Sequence, residues 1–297
     1  MSATTTTASK SFLSQKISDY AMLTKFRLSF LVVFSAVIGF LFADGATFNW
    51  LAIYMLTLGG ALVTGASNAI NQIIERDIDK LMSRTQNRPL AAERMSVLEA
   101  ILAAGVFGVS GIILLTTYFN PTAGVLAAIS LISYAFIYTP LKRVNAIAVF
   151  VGAIPGALPP MIGYVCATGK IDFVAVMLFS IQFVWQFPHF WSIAWVQYQD
   201  YLKAGIMLLP SAGGKNKASA MQNVVYCALL IVVSMVPYML QLIGFWSNLV
   251  IVLAGVVFLA MAWKHLAKCE DKTARALMFG SFLYLPVVQL ALLIGKI

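Results

Sequence analysis

Apolar segments recur along this chain at the length of a bilayer-spanning helix, about 20 residues for roughly 30 Å of hydrocarbon. Nine candidate spans cover residues 27 to 43, 50 to 70, 97 to 117, 122 to 138, 146 to 166, 173 to 197, 220 to 241, 246 to 263 and 276 to 295. Lipid offers no partner to a backbone N–H or C=O, so a spanning segment must be a helix or a strand of a closed barrel. No run alternates with the period of two that a barrel strand needs. The expected fold class is therefore an all-α integral membrane protein, a bundle of about nine transmembrane helices. Composition agrees, with 61% of residues hydrophobic and 10% charged; soluble domains run at about 45–50% and 25%.

The formal charge of +9 would suit nucleic acid, but its distribution reads as topology. With the N-terminus in the cytoplasm, 18 of the 20 Lys and Arg fall inside and only Lys170 and Lys296 outside, the positive-inside pattern. No nucleic-acid partner is expected. The chain divides into a polar cytoplasmic segment, 1 to 26, and a single intramembrane domain, 27 to 297, with no Gly/Ser linker between larger units. The first twenty residues are rich in Ser and Thr but hold no Arg, which favours a bacterial inner membrane over a mitochondrial one. Cys166, Cys227 and Cys269 have no metal-ligand spacing and read as small apolar fillers. His265, between Lys264 and Lys268, reads as a surface residue.

The two longest polar stretches, 71 to 96 and 198 to 219, both lie on the inner side. On a helix continuing from the second span, Asn71, Glu75 and Asp79 fall at i, i+4 and i+8 and share one face. Mg²⁺ takes one or two carboxylates from a protein and completes its octahedron with water and substrate phosphates, so two carboxylates and an amide suit it. Ionised groups at membrane depth are costly unless paired or hydrated, and a membrane helix has little structural reason to collect them. One step round the helix, Arg76, Lys80, Arg84 and Arg88 repeat every four residues as a cationic stripe that Pro89 would end. Metal with guanidinium is a common way to hold a diphosphate. The positive-inside rule alone also asks for Lys or Arg here, though not at this spacing. Asp77, off that face, is placed to pair with Lys80.

Tyr138, Lys142 and Arg143, at the cytoplasmic end of the fourth span, suit a second grip on phosphate and equally an interfacial Tyr with snorkelling bases. The fifth span holds Pro155, Pro159 and Pro160 with Gly152, Gly156 and Gly163. Such a helix is kinked, lines a cavity and must have its freed carbonyls satisfied within the bundle. In the sixth span Gln182, Gln186 and His189 share a face, and Asp200 returns to within about 20° of His189 if the helix runs on. His189 is open to two readings, a buried ring bonded to a neighbouring helix and a functional group. Around it, Trp185, Phe187, Phe190, Trp191 and Trp195 would wall a large flat ligand or simply pack.

The strings NQIIERDIDKLMSRTQNRPL from Asn71, YTPLKRVN from Tyr138 and WQFPHFWSIAWVQYQDYLKAGIMLLP from Trp185 resemble the UbiA-type intramembrane prenyltransferases, and among them the protohaem IX farnesyltransferase branch. The resemblance runs along nearly the whole chain. It implies a nine-helix bundle in which Asn71, Glu75 and Asp79 bind Mg²⁺ and, with Lys142 and Arg143, act catalytically. It implies farnesyl diphosphate and haem B as substrates, held by Arg76, Lys80, Arg84, Arg88, Tyr138, Gln186, His189, Asp200 and Lys203, with His189 ligating or orienting the haem iron. The product would pass to a downstream haem-modifying enzyme or oxidase assembly factor. Glu75 stands where the superfamily more often has Asp, and the second acidic motif is thinned to Asp200. A prenyltransferase for a quinone precursor or chlorophyll-type ring would share the first string but lack FPHFW. A secondary transporter would share the broken helices and midplane polar residues, but has no need of Asn71, Glu75 and Asp79 beside four cations.

Overall fold

In the computed structural model residues 12–43 and 49–297 are described, so Lys10 and most of the Ser/Thr-rich leader lie outside them. The described residues form α1 (Phe12–Leu23), α2 (Phe26–Phe42), α3 (Trp50–Asp79), α4 (Val97–Tyr118), α5 (Pro121–Ile132), a π-helical turn (Ser133–Tyr138), α6 (Thr139–Leu141), α7 (Ala148–Thr168), α8 (Phe173–Val196), α9 (Tyr198–Lys203), α10 (Lys217–Met239), α11 (Phe245–Lys268) and α12 (Asp271–Ile294). Among the described residues eight segments are long and apolar enough to cross a membrane, and a pair bent by 55°, Phe12–Leu23 with Leu28–Phe42, brings the number to nine when it is counted as one span. Eight of the nine expected spans are thus single helices, and the first, expected over 27 to 43, falls on the second arm of the bent pair. Within the polar segment before residue 27, however, the chain already forms the helix α1.

Local chemistry starts the helices. Asn49, Ser96, Asn120, Asp172 and Asn216 each accept from backbone N–H groups of the following turn, satisfying donors that have no intrahelical partner. α2 packs on α3 and α7, α3 on α4, α7 on α8, and α8 on α10 and α12. α7 is the most buried span, and its glycines let neighbours approach: Gly163 meets the Ala36 backbone of α2, Gly152 meets the Tyr138 ring and Gly156 meets the Gln186 side chain.

The prolines of α7 free carbonyls as expected, and the bundle supplies their partners. Ser130 Oγ donates to Pro155 O at 3.3 Å, and Gln182 Nε2 donates to Gly156 O at 2.7 Å. These carbonyls lie four residues before Pro159 and Pro160, whose rings have no N–H to offer them.

Two expectations about helix continuity are corrected. α3 ends at Asp79, and residues 80–95 fold back in turns rather than carrying a helix to Pro89. Burial decides this: Met82, Leu90, Ala91 and Met95 are covered, and Leu90 and Met95 pack with Leu23, Ala69, Ala100 and Ala104, which a straight helix leaving the bundle would forfeit. Likewise α8 stops at Val196, and Gln197 breaks the line to Asp200. His265 is corrected too: it is fully buried at the end of α11, bonded through Nδ1 to Thr273 Oγ1 at 3.1 Å and packed edge-to-face on Trp195.

Candidate functional site

The long helix α3 presents Asn71, Glu75 and Asp79 on one face, all at most 4% exposed. Three basic side chains from three other segments meet them. Lys25 Nζ donates to Asn71 Oδ1 at 3.0 Å, Lys142 Nζ lies 2.5 Å from Glu75 Oε1, and Arg88 donates to both Asp79 oxygens at 2.8 and 2.7 Å. Asn71 Nδ2 in turn donates to Glu75 Oε2 at 2.9 Å and Thr139 Oγ1 at 3.2 Å. Three oxygen-bearing side chains alternate with three basic ones in a buried cluster. Anions taken out of water persist only when paired and hydrogen-bonded, and here each is.

Every cation depends on a local device. Lys25 sits in the left-handed region at φ 49 between α1 and α2. That turn is held by two amides of α3: Asn68 Nδ2 donates to Thr24 O at 3.1 Å, and Gln72 Nε2 donates to Met22 O and Leu23 O at 2.9 Å. Arg88 arrives because the 80–95 turns close on Asp79, with Thr85 Oγ1 donating to Asp79 O at 2.9 Å. Lys142 and Thr139 follow the π-helical turn, whose extra residue re-aims the strand of side chains leaving α5. Thr139 Oγ1 donates to Tyr134 O at 2.8 Å, and Lys142 lies over the Tyr138 ring at 5.0 Å.

The expected site residues divide accordingly. Asn71, Glu75, Asp79, Arg88, Lys142 and Tyr138 converge; Arg84 is exposed beside them, within electrostatic reach of Lys25 and Tyr138. Arg76 and Lys80 do not, so the expected stripe is not one surface: Arg76 pairs with Asp77 and Lys80 with Glu93. The expected Asp77–Lys80 pair is thereby replaced. Arg143 is exposed. Asp200 joins the 80–95 turns by accepting from Ser83 Oγ at 2.6 Å and pairs with Lys203 at 3.1 Å. The Ser83 hydrogen bond, followed by that from Lys203, holds its carboxyl below the ordinary range.

Gln186 lies in the core, donating to Ala153 O at 3.0 Å and Gln182 O at 3.3 Å, so its side-chain amide ties α8 to α7. Phe187, Trp191 and Trp195 are packed interior, against Phe150, Tyr226 and His265. Trp185 is different: it stacks on His189 at 4.5 Å and 19° and donates to Ser281 O. His189 Nδ1 lies 2.8 Å from Ser281 Oγ. The Ser281 hydroxyl donates its proton to Met278 O at 2.5 Å, so it accepts from Nδ1–H, which leaves a lone pair on Nε2.

Among the described residues no cluster of three or more His, Cys, Asp or Glu is arranged to hold a metal. The donor set on α3 still fits Mg²⁺, with an amide and two carboxylate oxygens buried on one face and balanced by cations that a phosphate would also attract. Directly below lie two small apolar cavities, of about 90 and 40 Å³, between α2, α3, α5 and α7. They share Val32, Val63, Thr64, Ser130 and Pro159, and Asn68 and Tyr134 cap the upper one.

Lys25, Thr139 and the two amides Asn68 and Gln72 were not singled out in the sequence. Asn68 and Gln72 flank Asn71 at i−3 and i+1, and polar side chains in a span are themselves a signal; nothing local marks Lys25, which is one of several basic residues near a helix end.

Known proteins bear on this arrangement. Residues 32–285 match the UbiA prenyltransferase family. The chain is 44% identical over 285 residues to a protoheme IX farnesyltransferase of Cytophaga hutchinsonii, covering 96% of this chain and 100% of that protein. It is 43% identical to one of Flavobacterium johnsoniae, covering 97% and 98%. Among solved structures, a digeranylgeranylglyceryl phosphate synthase superposes with TM-score 0.79 at 20% identity, over 95% of this chain and 98% of that one. A UbiA homolog from Archaeoglobus fulgidus bound to GPP and Mg²⁺ superposes with TM-score 0.66 at 16% identity, over 92% and 99%. The site on α3 therefore lies in a member of a known group: this chain belongs to the UbiA prenyltransferase family.

Proposed function

We propose that this chain transfers the farnesyl group of farnesyl diphosphate to a vinyl group of protohaem IX, giving haem O and diphosphate. The observation that carries the reading is the matched set Asn71–Lys25, Glu75–Lys142 and Asp79–Arg88. It offers oxygen donors for a divalent cation and positive donors for phosphate within one cluster. The named relatives support haem as the acceptor.

On this reading Asn71, Glu75 and Asp79 hold Mg²⁺, which supplies charge neutralisation to a departing diphosphate. Lys25, Lys142 and Arg88 turn toward the phosphate oxygens and stabilise the charge that collects there as the C1–O bond breaks with both electrons on oxygen. Arg84 screens the outer phosphate. The vinyl π pair then forms the new bond to C1, and water adds to the resulting cation and loses a proton. No strong base is needed, in keeping with a site built of ion pairs rather than a triad. The allylic end of the isoprenoid chain enters the apolar seam below Asn68 and Tyr134, where exclusion of water protects an allylic cation from hydrolysis. His189, with Nδ1 held by Ser281, offers Nε2 to the haem iron beside the Trp185 ring. The site faces the cytoplasm of a bacterial inner membrane, on the side that collects most Lys and Arg.

Purified protein with Mg²⁺, labelled farnesyl diphosphate and haem tests this. A haem product carrying the label is expected; label passing only to water or to no acceptor would overturn it.

A further inference from the structure

Away from the α3 cluster, an apolar groove of about 370 Å³ runs between α11 and α12 on the outer face of the bundle. Leu253, Val257 and Met261 line one wall and Gly280, Leu283 and Val287 the other. Leu253, Val257 and Leu283 are more than half exposed, so the groove opens outward. From Val250 to Met261 it extends about 16 Å at the helical rise, close to half of a roughly 30 Å hydrocarbon layer.

The groove points at a cluster of lysines. Lys264 and Lys268 follow Val257 by seven and eleven residues, which places both within about 20° of it around α11. Lys272 precedes Leu283 by eleven residues and lies within about 20° of it around α12. All three are exposed and figure in no ion pair among the described residues. The acids at this turn are Glu270, exposed, and Asp271, held by Lys215 at 2.5 Å. This is also the end of the bundle that carries the α3 cluster, since Trp195 at the end of α8 donates to Asp271 at 3.0 Å. The positive-inside rule asks for lysines in this turn; it does not ask that they continue the two walls of a groove.

We propose that the groove and its three lysines hold one anionic phospholipid, with an acyl chain along α11 and α12 and the phosphate against Lys264, Lys268 and Lys272. Apolar area takes the chain and charge selects the headgroup, the combination by which basic pockets between membrane helices recognise anionic lipids. Its position on the turn that anchors Trp195 through Asp271 makes the lipid a brace for that end of the bundle.

The test uses full-length protein in neutral detergent, offered phosphatidylglycerol or phosphatidylcholine, with retained lipid counted by native mass spectrometry and thermal unfolding followed in parallel. Wild type should retain phosphatidylglycerol about tenfold better, and the triple variant Lys264→Gln, Lys268→Gln, Lys272→Gln should lose that preference while still folding. Ala254→Trp, which fills the groove and leaves the lysines, should displace the lipid and its stabilisation. Equal retention of both lipids by wild type, selectivity surviving in the triple variant, or a lipid-free dimer closing on this face would overturn the proposal.

Discussion

The guanidinium of Arg88 lies 2.7 Å from the Asp79 carboxylate, nine residues back along the chain. A continuous helix would have carried Arg88 more than two turns away; instead the chain folds back and uses it to neutralise a carboxylate only 1% exposed. The pair closes the 80–95 turns over the mouth of the site and joins the stability of that segment to the chemistry beneath it.

Removing one partner of a buried pair strands the other. Arg88→Ala should lower stability by about 3–5 kcal/mol, read by thermal unfolding in detergent, and the double variant Asp79→Asn, Arg88→Gln should recover most of it without recovering farnesyl transfer. A single variant that melts with wild type would show that the pair contributes little to stability.

Glu75→Ala and Asp79→Ala should each cut turnover at least about a hundredfold, the scale of losing one preorganised group that acts on developing charge. Lys25→Met and Lys142→Met should instead act mainly through substrate affinity, raising KM for farnesyl diphosphate about tenfold or more, as expected for a charge-assisted hydrogen bond. Steady-state kinetics with varied farnesyl diphosphate separates the two patterns, and an unchanged KM in Lys25→Met would remove that lysine from the phosphate site.

His189 and Ser281 should behave as a ligand and its orienting partner. His189→Ala should abolish the axial-ligand signature in a haem titration followed by absorbance, while Ser281→Ala should retain it at about 10–100-fold weaker affinity. A spectrum identical to wild type in His189→Ala would exclude the iron contact.

Gln182→Leu leaves Gly156 O without its donor in the middle of a proline-broken helix. A loss of about 1–3 kcal/mol is expected, again by thermal unfolding, with the α3 cluster and diphosphate affinity intact.

The Asp200 tether has a defined pH dependence. Because Ser83 and Lys203 depress the folded carboxyl, its contribution is present above the ordinary carboxylate range of about 4 and is lost only as pH falls through and below it. Proteolysis within residues 80–95 should be flat from neutral pH downward until that range, whereas Asp200→Ala should be cleaved faster already at neutral pH.

The sequence by itself determined the spans and the face of α3, because both follow from local geometry. An apolar run of bilayer length must be helical in lipid, and i, i+4, i+8 positions share a face on any helix. It also foretold that the carbonyls freed in α7 would find partners, which Ser130 and Gln182 proved to be. Only the tertiary structure decided which cations meet the acids. The stripe from Arg76 to Arg88 assumed a helix past Asp79, but burial of Leu90 and Met95 bends the chain back and brings in Arg88 alone of that set as a direct partner. Lys25 and Lys142 stand 46 and 67 residues from the oxygens they serve, at distances along the chain where periodicity carries no information. Their meeting depends on a left-handed turn whose carbonyls two amides of α3 satisfy, and on a π-helical turn where Thr139 Oγ1 donates to Tyr134 O.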